Sequence, residues 1–105
     1  IGHGPMFWKE IENDAATNTE PSKNNSIVNL LKKHNNLYAD LSAKSGYLAI
    51  SRNKQYSIKF IKVFQDRLLY GTDNFNLGLD KLIYSLGLKN EVMNKVFYKN
   101  ADNFL

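Results

Sequence analysis

Short apolar segments that suit buried strands alternate along this chain with stretches of helical spacing, and this alternation is what most restricts its fold. Residues 37–41 and 67–73 are short and apolar, as buried strands are, and a further strand is expected to end at His3. After these segments, apolar residues recur at i, i+3 and i+4, most clearly over residues 79–86. Strands and helices in alternation predict an α/β fold with a parallel sheet and right-handed crossovers.

The composition fits one globular domain and excludes several other classes. The chain has 105 residues, of which 43% are hydrophobic, enough for a modest core. No apolar run reaches the roughly 18 residues of a membrane span. Cysteine is absent, which excludes disulfides and a thiolate nucleophile and favours a cytoplasmic protein. The net charge of +4 is spread as single lysines along helical faces, a pattern that favours a solvated surface over nucleic-acid binding.

The polar stretch 12–25 predicts a long loop.

Candidate functional residues follow the predicted strands, because ligands of parallel α/β folds bind at the carboxyl ends of the strands. Asp73 ends the apolar run 67–73, and alternation places it on the same strand face as Leu69 and Gly71. A carboxylate facing the interior needs a metal ion or another cation as its partner. A loop-capping aspartate or a helix N-cap explains Asp73 equally well. The segment 40–42 is a second candidate.

His3 stands at the end of the first predicted strand. A functional role would make it a metal ligand or an imidazole that donates to a substrate oxygen, and a hydrogen-bonded structural histidine is the alternative. His34 lies in a basic helix terminus, where a structural role is expected. The sequence contains no His-x-His, HExxH or other paired ligand spacing that would predict a self-contained metal site.

Three aromatic residues follow two of the predicted strands. Phe7, Trp8 and Tyr47 stand in loop-like contexts, where they would line a substrate pocket or pack between loops. The glycines form neither a GxGxxG nor a P-loop pattern, so a nucleotide site is not expected.

Several segments together resemble the last third of the metal-dependent amidohydrolases, in the branch that includes aminocarboxymuconate-semialdehyde decarboxylase-like proteins. The most specific segment is Arg-Leu-Leu-Tyr-Gly-Thr-Asp at 67–73. The other segments are His-Gly-Pro-Met-Phe-Trp-Lys-Glu-Ile at 3–11, Asn-Leu-Tyr-Ala-Asp-Leu-Ser-Ala at 36–43, Ser-Gly-Tyr at 45–47 and Asn-Ala-Asp-Asn-Phe-Leu at 100–105.

The resemblance implies that residues 1–105 are the C-terminal segment of a (β/α)₈ barrel, about three β/α units with strands six to eight. It implies that Asp73 is the eighth-strand aspartate, a metal ligand and general base, and that His3 lies near the metal and the substrate. The metal would be zinc, with manganese as an alternative. The implied activity is hydrolysis of an ester, lactone or amide bond through a metal-activated water. A decarboxylase of the same superfamily and a truncated, non-catalytic interaction module are the alternatives.

The resemblance also carries expectations about partners. The family's His-x-His pair and its fifth-strand ligand have no counterpart here, so the isolated chain is expected to bind metal weakly and to be inactive. A chain with three strands of a barrel would leave sheet edges unpaired, so we expect self-association or pairing with the rest of the barrel. The expected ligand is a small-molecule substrate, with neither nucleic acid nor a membrane as a partner.

Overall fold

The structure is a computed structural model that describes residues 1–2, 4–42, 44–71 and 78–104. These residues are mostly helical. In chain order the elements are α1 (Pro5–Thr17), α2 (Ser26–Lys33), β1 (Ala39–Asp40), α3 (Lys44–Ser51), α4 (Lys54–Phe64), β2 (Leu68–Leu69), α5 (Leu79–Ser85), α6 (Asn90–Asn94), a π-helical turn (Lys95–Lys99) and α7 (Asn100–Phe104). None of the helices described is both long and apolar enough to cross a membrane.

Two very short strands form the sheet of the described residues. β1 and β2 are parallel, with Ala39 opposite Leu68 and Asp40 opposite Leu69. Gly2 adds one parallel bridge to Ala39 on the other side of β1. Each strand therefore has two paired residues, and helices make up most of the described structure around this short sheet.

The predicted fold class, three β/α units of a TIM barrel, is wrong for this structure. The described residues are mostly helical, and their strands have only two residues each. The strand expected to end at His3 is reduced to a bridge at Gly2, because Gly4 turns the chain with a φ of 88° and Pro5 begins α1 directly. The strand expected over 67–73 pairs only at Leu68 and Leu69 among its described residues. A short apolar run has the composition of a strand without having to form a ladder.

The polar loop predicted at 12–25 is shorter than expected, because α1 continues to Thr17. Ile11 and Ala15 lie four residues apart on the buried side of this helix, and polar residues such as Asn13 lie on its exposed side. The polar composition of this stretch reflects a solvated helix face. The loop itself is confined to residues 18–25.

A row of aromatic side chains fills the centre of the core. Trp8, Tyr56, Phe60 and Phe64 are each at most 1% exposed. Phe60 lies in the middle, with ring centroids 6.0 Å from Trp8, 6.1 Å from Tyr56 and 5.0 Å from Phe64. Because three of these residues repeat at i, i+4 and i+8 along α4, that helix presents one aromatic stripe to α1. Val63, on the same helix, lies off this stripe and is 56% exposed.

The buried carboxylate of Asp14 holds the loop 18–25 in place. Its Oδ2 accepts hydrogen bonds from the Tyr56 hydroxyl at 2.7 Å and the Ser22 backbone N–H at 2.9 Å. Its Oδ1 accepts one from Asn18 Nδ2 at 2.8 Å. Asn53 Nδ2 adds hydrogen bonds to the Ala15 and Asn18 carbonyls, both at 3.2 Å. Residues that were predicted to form a long loop are thus tied to α1 and α4.

The C-terminal helix is connected to β2 through one buried amide. Asn100 is 2% exposed, and its Nδ2 donates to the Leu68 carbonyl at 2.9 Å and the Gln65 carbonyl at 2.5 Å. A buried carbonyl without a donor is costly, so this side chain supports both α7 and the start of β2.

We expect Asn100→Ala to destabilise the fold by about 2 kcal/mol, because two carbonyls lose their donor. Asn103→Ala, an exposed position of the same helix, is the matched control and should change the free energy of unfolding by less than about 0.5 kcal/mol. Urea unfolding followed by circular dichroism measures both. Equal effects of the two variants would contradict this role of Asn100.

The buried hydroxyl of Tyr56 should make the folded protein less stable at high pH. Burial raises the pKa of Tyr56 above its ordinary value, and the hydrogen bond and negative charge of Asp14 raise it further. The unfolded chain releases this proton near pH 10 while the folded chain retains it, so the free energy of unfolding should fall as the pH rises above about 10. Tyr56→Phe should reduce this fall, and Tyr98→Phe, at a half-exposed position, should not. Denaturant titrations at increasing pH provide the measurement, and an identical fall in both variants would show that Tyr56 is not responsible.

Candidate functional site

Three backbone segments run parallel and side by side in the centre of the molecule: Gly2, β1 and β2. Gly2 N donates to the Tyr38 carbonyl at 2.7 Å, and Asp40 N donates to the Gly2 carbonyl at 2.8 Å. On the other side of β1, Ala39 N donates to the Arg67 carbonyl at 2.8 Å, and Leu41 N donates to the Leu69 carbonyl at 2.9 Å. Because the segments are parallel, the chain leaves all three toward the same edge. We call the described residues that follow them, Gly4, Leu41, Ser42, Tyr70 and Gly71, the strand-end edge.

The two residues predicted to carry the chemistry lie outside the described residues. They are His3 and Asp73. In the sequence, His3 comes directly after Gly2, and Asp73 comes two residues after Gly71. The resemblance places both residues near one metal ion, and their proximity stays a prediction. His34 is exposed at the end of α2, where its carbonyl accepts a hydrogen bond from Arg67 Nη1 at 2.7 Å.

A tight turn follows β1 at this edge. The Asp40 carboxylate accepts a hydrogen bond from the Ser42 N–H through Oδ1 at 2.8 Å, which forms an Asx turn. The Asp40 carbonyl accepts a hydrogen bond from Trp8 Nε1 at 2.8 Å. A Cβ at Gly71 would lie 3.1 Å from the Cβ of Ser42, so the end of β2 passes close to this turn. The strand-end edge is thus formed by backbone held at fixed positions.

The three aromatic residues predicted to bind substrate differ in how deeply they are buried. Trp8 is fully buried, and its ring packs against Phe60 with centroids 6.0 Å apart. The structure shows the packing role that the sequence left open, and a substrate contact of Trp8 stays a prediction. Phe7 is half-buried, with its ring 5.0 Å from Trp8 in an edge-to-face arrangement, and it lies so close to Gly2 that a Cβ there would clash with the ring. Tyr47 is half-buried on α3 and packs against the core. Substrate contacts of Phe7 and Tyr47 stay predictions.

Helix α3 begins beside the turn after β1 and packs directly on its backbone. A Cβ at Gly46 would lie 2.8 Å from the Leu41 carbonyl oxygen, so only glycine permits this approach. The preceding hydroxyl, Ser45 Oγ, is buried and has no hydrogen-bond partner among the described residues. In the sequence, Ser45 was notable only as part of the Ser-Gly-Tyr segment at 45–47. Its neighbour Gly46 is the signal that could have placed it at a close helix–loop contact.

Tyr70 is a further polar group of the strand-end edge that the sequence did not single out. Its ring packs edge-to-face on Phe97, with centroids 4.8 Å apart. Burial raises the pKa of the Tyr70 hydroxyl, and the nearby charges of Asp80 and Tyr84 raise it further. The Tyr70 hydroxyl therefore keeps its proton to a higher pH than an ordinary tyrosine does.

The described residues do not by themselves form a metal site. They contain no group of three His, Cys, Asp or Glu side chains that could hold a metal ion. A catalytic zinc site uses three protein ligands in most cases, so His3 and Asp73 together would still leave the ligand set incomplete. Comparisons with known proteins add nothing to this site, since no family model, curated protein or solved structure matches the chain.

Two substitutions on α3 test the contact beside this edge. Gly46→Ala should destabilise the fold by about 1–3 kcal/mol, because the new methyl group meets the backbone of Leu41. Ser45→Ala should leave stability unchanged or raise it by up to about 1 kcal/mol, because a buried hydroxyl without a partner is removed. Thermal and urea unfolding measure both changes. A loss of stability in Ser45→Ala as large as that in Gly46→Ala would show that the hydroxyl has a bonding partner.

Proposed function

We propose that this chain contributes part of the active site of a metal-dependent hydrolase that acts on an ester, lactone or amide bond of a small molecule. The observation that carries the proposal is the parallel arrangement of Gly2, β1 and β2, from which the chain leaves toward one edge. The sequence places the two candidate catalytic residues just after the first and the last of these segments. The amidohydrolase-like motifs around His3, Asp40 and Asp73 support the same reading. The proposal does not depend on a barrel.

Each candidate residue has a role that suits its chemistry. Asp73 would be a metal ligand and would hold a proton on a carboxylate oxygen, as a general base does. His3, as a second ligand or a close neighbour, would donate a hydrogen bond to a substrate oxygen. A divalent ion, zinc or alternatively manganese, would supply an activated water, since it lowers the pKa of bound water to about 7. The strand-end edge would supply a rigid floor for these groups, because the Asx turn of Asp40 and the close approach of Gly71 fix its backbone.

The proposal includes a partner that completes the site. One imidazole and one carboxylate are fewer ligands than a catalytic zinc site uses, so further ligands would come from residues beyond these 105 or from another chain. Exposed apolar residues on α1 and α3 are compatible with such pairing: Met6 is 91% exposed and Leu48 is 40% exposed. We further propose a reducing compartment, the cytoplasm, because the sequence has no cysteine.

Zinc binding by the chain tests the two candidate ligands. Calorimetry should detect one weak site, with a dissociation constant above about 1 µM, because the ligand set is incomplete. Asp73→Asn and His3→Gln should each abolish this binding, and His34→Gln, the matched control at an exposed position, should retain it. Unchanged binding in the first two variants would refute the site. Submicromolar, stoichiometric binding would refute the need for further ligands.

Activity of the full-length protein tests the reaction. Zn²⁺ or Mn²⁺ should restore hydrolysis lost to a chelator, and Asp73→Asn should abolish it without changing the circular dichroism spectrum. Release of carbon dioxide from a carboxylated substrate would support the decarboxylase alternative instead. A metal-loaded protein inactive in both assays would support a non-catalytic interaction module.

A further inference from the structure

A basic cleft lies on a different part of the molecule, between the loop 18–25 and the helices α2 and α4. Its volume is about 640 Å³, within the range of small-molecule sites. Four lysines contribute to its lining: Lys23 from the loop, Lys32 from α2, and Lys59 and Lys62 from α4. Among the lining residues described, Glu20 is the one carboxylate.

The charges of this cleft are unbalanced. Glu20 lies 3.7 Å from the ammonium group of Lys59, in an ion pair whose side chains are both more than half exposed. The three other lysines add positive charge to the same concave surface. Like charges repel, and the walls of a cleft concentrate their field more than a flat surface does. A multiply charged anion would relieve this repulsion and interact with several ammonium groups together.

The cleft has a fixed wall, because the loop that forms it is tied to the core. Ser22 N–H and Asn18 Nδ2 donate to the buried Asp14 carboxylate at 2.9 and 2.8 Å. The Lys23 carbonyl accepts a hydrogen bond from Asn29 Nδ2 on α2 at 2.9 Å. The loop carrying Lys23 and Glu20 therefore has its position set before any ligand arrives, which lowers the entropy cost of binding.

We propose that this cleft binds a small molecule that carries phosphate groups. The lining residues described include lysines and no arginine. Lysine binds phosphate as a compact point charge. A phosphate group carries more negative charge than a carboxylate, so it suits a surface on which several ammonium groups lie together. The volume suits a small molecule, and a nucleic-acid surface would require an extended basic stripe. The site is independent of the proposed hydrolase site, because its residues come from the loop, α2 and α4 and not from the strand-end edge.

Titration of the full chain with inorganic pyrophosphate, followed by amide NMR shifts, tests this proposal. Saturable shifts should centre on residues 20–23 and on the lysines of α2 and α4. The double variant Lys59→Gln with Lys62→Gln should weaken binding about tenfold, as expected for the loss of charge-assisted contacts. The double variant Lys81→Gln with Lys99→Gln, at exposed positions outside the cleft lining, removes the same charge and should leave binding within about twofold.

Each contrary result overturns a stated part of the proposal. Equal weakening in the two double variants would mean that pyrophosphate responds to net charge and not to the cleft. Citrate binding as tightly as pyrophosphate would refute the preference for phosphate. If a single-stranded oligonucleotide displaces pyrophosphate and shifts resonances well beyond the cleft, the ligand of this surface is a nucleic acid and not a small molecule. The zinc experiment on His3 and Asp73 does not involve these lysines, so the two proposals can fail separately.

Discussion

The backbone of β1 is the constraint on which the rest of this structure depends. Ala39 is fully buried, so the polar groups of the strand around it need partners inside the protein. Gly2 supplies them on one side, and Arg67 and Leu69 supply them on the other. Three distant parts of the chain must therefore meet at one strand of two residues. Helical segments pack around this contact: Trp8 of α1 bonds the Asp40 carbonyl, and the π-helical turn and α7 lie against β2. They exclude water from the strands and make their hydrogen bonds necessary.

Trp8 and Asp14 satisfy the same need for buried hydrogen-bond partners near the two ends of α1. Trp8 uses its indole N–H to bond the carbonyl at the end of β1, and so joins α1 to the sheet. Asp14 uses both carboxylate oxygens to hold the loop 18–25 and the hydroxyl of Tyr56 on α4. A carboxylate in the interior is tolerated because donors surround it. One helix thereby fixes the sheet at one end and the basic cleft at the other.

Sequence patterns predicted the features that depend on local spacing. The stripe at 79–86 gave α5, with Leu79, Ile83 and Leu86 buried, and Gly87 adopts a φ of 69° just past the helix. The start of α2 has a local origin as well, since its N-cap Asn25 accepts the N–H groups of Ile27 and Val28 through Oδ1, both at 3.0 Å. Such features are visible in the sequence because residues within one turn determine them.

The features that were predicted wrongly depend on contacts between distant residues. The sequence around 67–73 is apolar enough for a long strand, but a strand is as long as its neighbour allows, and β1 offers two residues for pairing. The polar composition of residues 12–17 is typical of a loop. In the structure Trp8 and Ile11 anchor this helix in the core, so most of these polar residues lie on its exposed face. The position of Trp8 after a predicted strand left a pocket wall and packing both open. The sequence could not decide between them, because the indole N–H bonds a carbonyl 32 residues away.

The two candidate sites differ in how visible they are to sequence reasoning, and the difference has a physical cause. His3 and Asp73 stand out because a chemically distinctive residue follows an apolar run in each case. The lysines of the basic cleft do not, because each is one of many exposed lysines on its own helix. They become a site only when Asp14 fixes the loop that brings Lys23 and Glu20 against α2 and α4. A binding surface built from ordinary residues is thus a property of the tertiary structure. Here it depends on the hydrogen bonds that hold the loop 18–25, which involve the buried carboxylate of Asp14 and the side chains of Asn29 and Asn53.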